Sequence, residues 1–167
     1  MSILNVMWAG GAAYLSTHKV HREILAFADA QDAVSSWLLL PGDSAPLQTI
    51  GTVESLGLSS SRLKGSGWQV LRRFYDRAGI KRRLLREAPR LVMLDGIGVA
   101  RYFLPLLRSL PATQVVVVFH GVKRLRAAEV RLLRDFPAQR LRLLAVSRTL
   151  SEDVARQVQL PVLGVRN

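Results

Sequence analysis

The stretch QVVVVFHG, residues 114–121, decides the fold. Five consecutive apolar residues, four of them valines, are typical of a strand buried on both faces of a sheet. The run is too short for an amphipathic helix and is bounded by polar residues. His120 and Gly121 follow the last apolar residue directly. An imidazole at the end of a buried strand must contact something there, and its partner is the first question that the sequence raises.

Apolar runs of strand length alternate with amphipathic segments along the chain. Strands are predicted over 3–8, 34–40, 52–57, 90–96, 114–119, 141–146 and 161–165. Helices are predicted over 12–30, 99–110, 126–136 and 149–158, and two basic helices over 68–78 and 80–88 with a break near Gly79. Pro105 is expected to kink its helix or to lie near the helix start. This alternation predicts an α/β, Rossmann-like fold: a doubly wound, mostly parallel sheet with helices on both faces.

Composition and charge narrow the classes of function. The 167 residues are 49% apolar and include no cysteine, which suits a globular domain without disulfides or thiolate chemistry. Lys and Arg number 24 against 12 Asp and Glu, a net charge of +12. Residues 62–90 hold 10 basic and 2 acidic residues, whereas residues 1–61 hold 2 basic and 5 acidic ones. Such concentrated positive charge attracts phospholipid head groups, nucleic acid or phosphorylated ligands.

The strand ends indicate where a ligand would bind, because ligands of open parallel sheets collect beyond the carboxyl ends of the strands. The first strand ends at Gly10 and Gly11, the fourth at Asp95, the fifth at His120 and the sixth at Ser147. A structural alternative stays open for each type: a tight turn, a capping aspartate, or a histidine bonded to a backbone carbonyl. The sequence contains neither GxGxxG nor GxxxxGK[ST] at the first turn, so a P-loop is excluded.

Metal and hydrolase chemistry find little support in the sequence. His18 and His21 lie three residues apart on the first predicted helix, but neither HExxH nor HxxEH is present and a third ligand is missing. No GxSxG motif marks a nucleophilic serine. Thr149 or Ser151 is expected to cap the helix over 149–158. No metal site is therefore predicted.

Three motifs in this order resemble the N-terminal domain of retaining GT-B glycosyltransferases of family four. They are the early strand with its Gly-Gly turn, the apolar strand ending in His-Gly, and LLAVSRTLSEDVARQ with the following PV, residues 143–157 and 161–162. Members include lipopolysaccharide-core and phosphatidylinositol mannosyl enzymes. The resemblance implies that residues 1–167 form the acceptor-side half of a GT-B enzyme. The donor-binding domain with its Glu-x7-Glu motif would be a further domain, absent from this sequence.

The resemblance assigns roles to the strand-end residues. Gly10 and Gly11 would meet the donor diphosphate, and His120, as a catalytic residue, would lie beside the transferring sugar and hold one of its hydroxyl groups. The family often has an acidic or aromatic residue after His-Gly, where this chain has a valine and two basic residues, which face either a phosphorylated acceptor or solvent. The candidate acceptor-binding residues are Asp95, Lys123, Arg124 and Ser147.

The resemblance also implies a reaction. A bacterial hexosyltransferase of this kind moves a sugar from a nucleotide-sugar donor to lipopolysaccharide core or another cell-surface glycan. Its oxocarbenium-like transition state expels a nucleoside diphosphate, whose charge positive groups and backbone amides offset. No metal or cofactor is implied. Most of these groups would belong to the second domain, so this chain alone is expected to be inactive.

The basic segment suggests where the protein acts. A basic amphipathic helix with aromatic residues suits an anionic membrane surface. Tyr75 belongs to an apolar stripe in its first half, and Ile80, Leu84 and Leu85 form one in its second half. The membrane-docking candidates are Trp68, Arg72, Arg73, Lys81, Arg82, Arg83 and Arg86.

Two other interpretations of the basic segment stay open. It is either an ordinary helix with solvated arginines, or part of a nucleic-acid-binding α/β module, although no RRM, KH or helix-turn-helix signature occurs. The favoured partners are a nucleotide sugar, a glycan or glycolipid acceptor, an anionic membrane and a second domain, with no nucleic acid. The expected location is the cytoplasm, peripheral on the inner membrane.

Overall fold

The computed structural model describes residues 2–8, 23, 26, 33–39, 52–55, 68–121 and 124–165. The chain divides into two compact units, residues 1–90 and 91–167, called here the first and the second unit. In the second unit, parallel strands alternate with helices along the chain, and the described part of the first unit holds parallel strands and helical residues. The predicted α/β, Rossmann-like fold is confirmed.

The described part of the first unit contains three parallel strands, β1 (Ser2–Trp8), β2 (Ala33–Leu39) and β3 (Thr52–Ser55). β2 pairs with both of the others, so the order is β3-β2-β1. The residues of β1 from position 3 to position 7 are buried, as expected for an apolar strand. The strands predicted here are confirmed to within two residues at each end. Of the helix predicted over 12–30, the structure describes only residues 23 and 26, and both are helical.

Helix α1 (Trp68–Glu87) is continuous over 20 residues, so the break predicted near Gly79 is wrong. Gly79 is exposed, and a Cβ placed there would have no described neighbour within 4 Å beyond the adjacent residues and the nearby backbone of the helix itself. Glycine in a helix costs about 1 kcal/mol relative to alanine. Ile80 and Leu84 follow and are buried at 7% and 0% exposure. Burying two such side chains contributes about 1.5–3 kcal/mol each, which outweighs the glycine.

The second unit is built as four strands joined by three helices. These are β4 (Leu91–Asp95), α2 (Gly96–Leu107), β5 (Gln114–Phe119), α3 (Ala127–Arg134), β6 (Leu141–Ala145), α4 (Arg148–Val158) and β7 (Val162–Gly164). The strands are parallel in the order β4-β5-β6-β7. Val117 of β5 lies opposite Leu94 of β4 and Leu143 of β6. The valine run of the sequence is therefore an inner strand with a neighbour on each side.

The three helices of the second unit pack in series, α2 against α3 and α3 against α4. Strand-to-strand crossovers of the usual right hand that step in one direction place successive helices on the same face. Phe103, Leu104 and Leu107 of α2 are fully buried. α2 begins at Gly96 rather than residue 99, and Pro105 lies in its last turn, on an exposed position, rather than near its start. Because proline has no N–H, one helical hydrogen bond is not made there.

Arginine side chains bind the backbone at the carboxyl ends of these helices. Arg140 donates from Nη2 to the carbonyl of Leu107 at 2.7 Å and from Nε to that of Thr113 at 3.0 Å. Its guanidinium also lies 5.1 Å from the centre of the Phe136 ring, and burial lowers the pKa of Arg140. Arg134 donates to the carbonyl of Val158 at 2.7 Å. Cations are favourable at these ends because the last carbonyls lack helical partners.

Candidate functional site

The carboxyl edge of the second unit brings two predicted site residues together. Asp95 is the last residue of β4, and His120 follows the last residue of β5. Because the two strands are parallel neighbours with Asp95 opposite Val118, the two side chains meet. Nε2 of His120 lies 3.1 Å from Oδ1 of Asp95. The imidazole at the end of the valine strand therefore contacts a carboxylate.

The environment of this pair is nearly closed. The Asp95 side chain is 7% exposed and that of His120 is 17% exposed. In the neutral imidazole, a hydrogen bond from Nε2 to the carboxylate assigns the proton to Nε2 and the lone pair to Nδ1. A carboxylate that orients an imidazole in this way is a recurring element of sites that bind or move protons. The sequence also left open a histidine bonded to a backbone carbonyl, but Nε2 of His120 contacts the carboxylate of Asp95 instead.

Asp95 occupies the N-cap position of α2, but its side chain makes no capping hydrogen bond. The structural alternative of a capping aspartate is therefore wrong, because the carboxylate faces His120. The turn from strand to helix is made by Gly96, whose φ of +71° is a conformation that favours glycine. Asp95 and Gly96 together end the fourth predicted strand, and an Asp-Gly pair at a strand end is a recognisable turn signal.

Ser147 lies at the same edge of the sheet, because the N–H of Val146 bonds to the carbonyl of Phe119 at 3.1 Å. Its Oγ accepts a hydrogen bond from the N–H of Leu150 at 3.2 Å and so caps α4. The caps predicted at Thr149 or Ser151 are wrong, since the helix begins one residue earlier. Ser151 is buried and donates to the carbonyl of Arg148. A role for Ser147 in acceptor binding stays a prediction.

The structure does not bring the other predicted site residues to the Asp95–His120 pair within its described part. Arg124 is an exposed loop residue. Gly10, Gly11 and Lys123 lie outside the described residues. Within the part of the chain that is described, no group of three histidine, aspartate or glutamate side chains is placed to hold a metal ion.

The surface of α1 combines positive charge with exposed apolar groups. Tyr75 is 78% exposed and Leu85 is 48% exposed, although the sequence placed Leu85 with the buried Ile80 and Leu84. The outer face of α1 is defined here by five of its exposed residues: Tyr75, Lys81, Arg82, Leu85 and Arg86. Among the described helical segments, none has the length and apolar character needed to cross a membrane.

Not every docking candidate belongs to this outer face. Arg83 is half-buried, and its Nε bonds to Oε1 of Glu87 at 2.6 Å, so part of its charge is balanced within the helix. The backbones of Trp68, Arg72 and Arg73 are helical, but their side chains lie outside the described part of the structure.

No protein-family model and no curated protein matches the chain. Among solved structures, it is similar to a glycosyltransferase from Rickettsia africae ESF-5, with a TM-score of 0.67 and 10% identity over 99% of this chain and 42% of that one. It is also similar to the UDP-GlcNAc 2-epimerase from Methanocaldococcus jannaschii, with a TM-score of 0.59 and 16% identity over 100% of this chain and 46% of that one. At such identities the likeness shows the fold. The chain spans less than half the length of both structures.

Proposed function

We propose that the chain is the acceptor-side domain of a retaining glycosyltransferase that moves a sugar from a nucleotide-sugar donor to lipopolysaccharide core or another cell-surface glycan. The observation that carries the proposal is the Asp95–His120 pair at the carboxyl edge of the sheet, on a fold shared with a glycosyltransferase. Ligands of open α/β sheets bind at this edge. The second similar structure is an epimerase of UDP-GlcNAc, which favours a nucleotide sugar as the ligand class.

The chemistry assigned to the pair is the positioning of a sugar. His120 holds a hydroxyl group of the transferring sugar, and Asp95 fixes the orientation of the imidazole ring. Both side chains are largely withdrawn from water, which strengthens their hydrogen bonds to a bound ligand. Ser147, Lys123 and Arg124 would meet the acceptor.

The leaving diphosphate needs partners as well. Gly10 and Gly11 would let the backbone approach it closely, as glycines do at phosphate sites. The other donor contacts would come from a second domain, and no metal or cofactor is required. On this proposal the isolated chain binds ligand but does not turn it over.

Membrane docking is the second part of the proposal, and the outer face of α1 supports it. Three cationic groups, Lys81, Arg82 and Arg86, share this face with the exposed side chains of Tyr75 and Leu85. Each basic residue near an anionic bilayer contributes about 1 kcal/mol of binding, and aromatic and leucine side chains enter the interface. Such a face suits reversible attachment to the cytoplasmic side of the inner membrane, where a lipid-linked acceptor would be found.

A second candidate is acid–base chemistry on a nucleotide sugar, of the kind an epimerase performs. The oriented imidazole of His120 beside the buried carboxylate of Asp95 favours it, since such a pair can abstract and return a proton. Solvent deuterium would then enter the sugar ring of a nucleotide sugar. A transferase leaves the ring C–H bonds untouched.

NMR titration of the 15N-labelled chain with UDP-glucose, UDP-GlcNAc and GDP-mannose tests the proposal. We expect one of them to shift the amide signals of Gly96, His120 and Gly121, and His120→Ala to weaken its binding by about tenfold, the value of one good hydrogen bond to a ligand. Arg131→Gln, an exposed change on α3, serves as the control and should leave binding unchanged. Absence of shifts at the carboxyl edge with all three ligands contradicts the proposal.

The nucleic-acid alternative has its own signature. A basic module that binds DNA loses affinity steeply with salt, because phosphate contacts release counterions. We expect only weak association of this chain with a DNA duplex at physiological salt. Tight binding with a steep salt slope would favour the alternative.

A further inference from the structure

An apolar groove lies in the second unit, away from the Asp95–His120 pair. Its floor consists of Leu133 and Phe136 from α3 and the following turn, and Leu143 of β6, which are at most 2% exposed. Its mouth is formed by Pro161 and Leu163 at the start of β7, and Leu163 is 60% exposed. The groove encloses about 340 Å³. This volume falls in the range of small-molecule sites, about 300–1,000 Å³.

Two arginines flank the groove. Nε of Arg134 donates to the carbonyl of Val158 at 2.7 Å, and Nη1 of Arg142 donates to the carbonyls of Ala138 and Leu141 at 3.1 and 3.0 Å. These bonds hold each guanidinium beside the groove and, among the described residues, occupy one of its three nitrogen atoms. The remaining N–H groups are donors for an anion, and the planar guanidinium fits carboxylate or phosphate in a bidentate way. The described residues that line the groove include no acidic side chain.

We propose that this groove binds a single-chain anionic amphiphile, with the alkyl chain on the leucine floor and a carboxylate or phosphate head on Arg134 and Arg142. The charge of the two flanking arginines selects the head, and the apolar lining selects the tail. A confined volume fits one flexible chain better than a protein helix, which needs a long open trough. The groove lies along the amino-terminal half of β6, whereas His120 follows the carboxyl end of β5. The inference is therefore independent of the proposed sugar site.

NMR titration of the 15N-labelled chain with dodecyl phosphate, kept below its micelle concentration, tests the inference. We expect shifts at the amides of Leu133, Leu143 and Leu163. Octyl phosphate should bind at least tenfold more weakly, because four fewer methylene groups leave water. Dodecyl maltoside, which lacks the anion, and inorganic phosphate, which lacks the tail, should also bind at least tenfold more weakly.

Paired variants separate the role of the head group from a general effect of charge. Arg134→Gln with Arg142→Gln should weaken dodecyl phosphate binding at least tenfold. Arg131→Gln with Arg156→Gln, two exposed positions away from the groove, lowers the net charge equally and should change binding less than twofold. If the first pair unfolds the chain, Leu163→Ser at the exposed mouth replaces it and should weaken binding about fivefold.

Several results would overturn the inference. If dodecyl maltoside or dodecyltrimethylammonium binds as tightly as dodecyl phosphate, the groove does not recognise an anionic head. If the control pair of variants loses as much affinity as Arg134→Gln with Arg142→Gln, these two arginines do not bind the head. Amide shifts confined to residues outside the groove would show that the amphiphile binds elsewhere. If an acidic amphipathic peptide binds more tightly than dodecyl phosphate, the ligand of the groove is a protein segment and not an amphiphile.

Discussion

The arginines of the second unit and those of α1 carry the same charge but make different contacts. In the second unit, Arg108, Arg134 and Arg140 each bind a backbone carbonyl at or just beyond a helix end. On the outer face of α1, Arg82 and Arg86 are exposed. The first group holds helices to their neighbours, although Arg134 also lines the groove of the second unit, and the second group is positioned to meet an external partner.

The comparison shows that a count of charges does not identify a binding surface. Residues 91–167 contain 12 basic and 5 acidic residues, and residues 62–90 contain 10 and 2. By composition both segments attract polyanions. In the second unit, however, part of that charge stabilises the fold, since a guanidinium satisfies carbonyls that the helix itself leaves without partners. Four changes to single residues or pairs test this division, taken from the largest expected effect to the smallest.

Arg140→Ala should have the largest effect, a loss of about 3 kcal/mol in the free energy of unfolding. It removes hydrogen bonds to Leu107 and Thr113 and the contact with the Phe136 ring, and hydrogen bonds to a charged group contribute about 1.5–3 kcal/mol each. Urea denaturation measures the change. Arg140→Lys keeps the charge but cannot reach both carbonyls, so about half of the loss should remain. A loss below 1 kcal/mol in the alanine variant would contradict the assigned role.

Arg82→Gln with Arg86→Gln should weaken binding to anionic vesicles roughly 30-fold. At about 1 kcal/mol per basic residue the pair contributes about 2 kcal/mol of membrane binding, and 1.4 kcal/mol corresponds to a tenfold change. Co-sedimentation with phosphatidylserine vesicles and with neutral vesicles measures the effect. Arg131→Gln with Arg156→Gln is the control of equal charge. Equal binding of the unaltered chain to both kinds of vesicle would exclude docking by charge.

Arg134→Ala should lower the free energy of unfolding by about 1.5 kcal/mol, because it removes one charge-assisted hydrogen bond to the end of α4. Arg131→Ala on the same helix is the matched control, since Arg131 is exposed. Thermal unfolding of the two variants compares them. Equal destabilisation would mean that α3 propensity, and not the bond to Val158, sets the effect.

Arg82→Ala should change the free energy of unfolding by no more than about 0.5 kcal/mol, the usual range for an exposed position. The same urea titration measures it, with Leu84→Ala as a contrast. Leu84 is fully buried, and its truncation should cost about 2–5 kcal/mol. A destabilisation by Arg82→Ala above 1 kcal/mol would place this arginine among the structural ones.

The strands of the second unit were predictable because their apolar runs are short and sharply bounded. The limits predicted for β5 agree with the structure, and those of β4, β6 and β7 agree within one residue. The helix ends were less predictable. Gly79 predicted a break that the burial of Ile80 and Leu84 overrides, and α4 begins at the cap made by Ser147. Helix propensity reflects each residue and its neighbours within one turn. The ends of α1 and α4 depend instead on contacts with residues farther along the chain.

The candidate site was predictable in part. The rule for strand ends pointed to Asp95 and His120, without showing that they bond to each other. The groove beside β6 could not be predicted, since its lining combines residues of α3, β6 and the turn before β7. These residues come together only when the strands pair, so their separation along the chain does not show that they line one cavity.

By itself, the sequence determined the alternation of strands and helices, the limits of the valine strand and the local excess of positive charge. Each of these follows from periodicity and composition, which act over a few neighbouring residues. Tertiary structure alone decided that the carboxylate of Asp95 meets the imidazole of His120 and that Arg140 binds two carbonyls while Arg82 faces solvent. The physical reason is that a hydrogen bond depends on distance and direction, and pairing of parallel strands brings together groups that lie 25 residues apart in the chain.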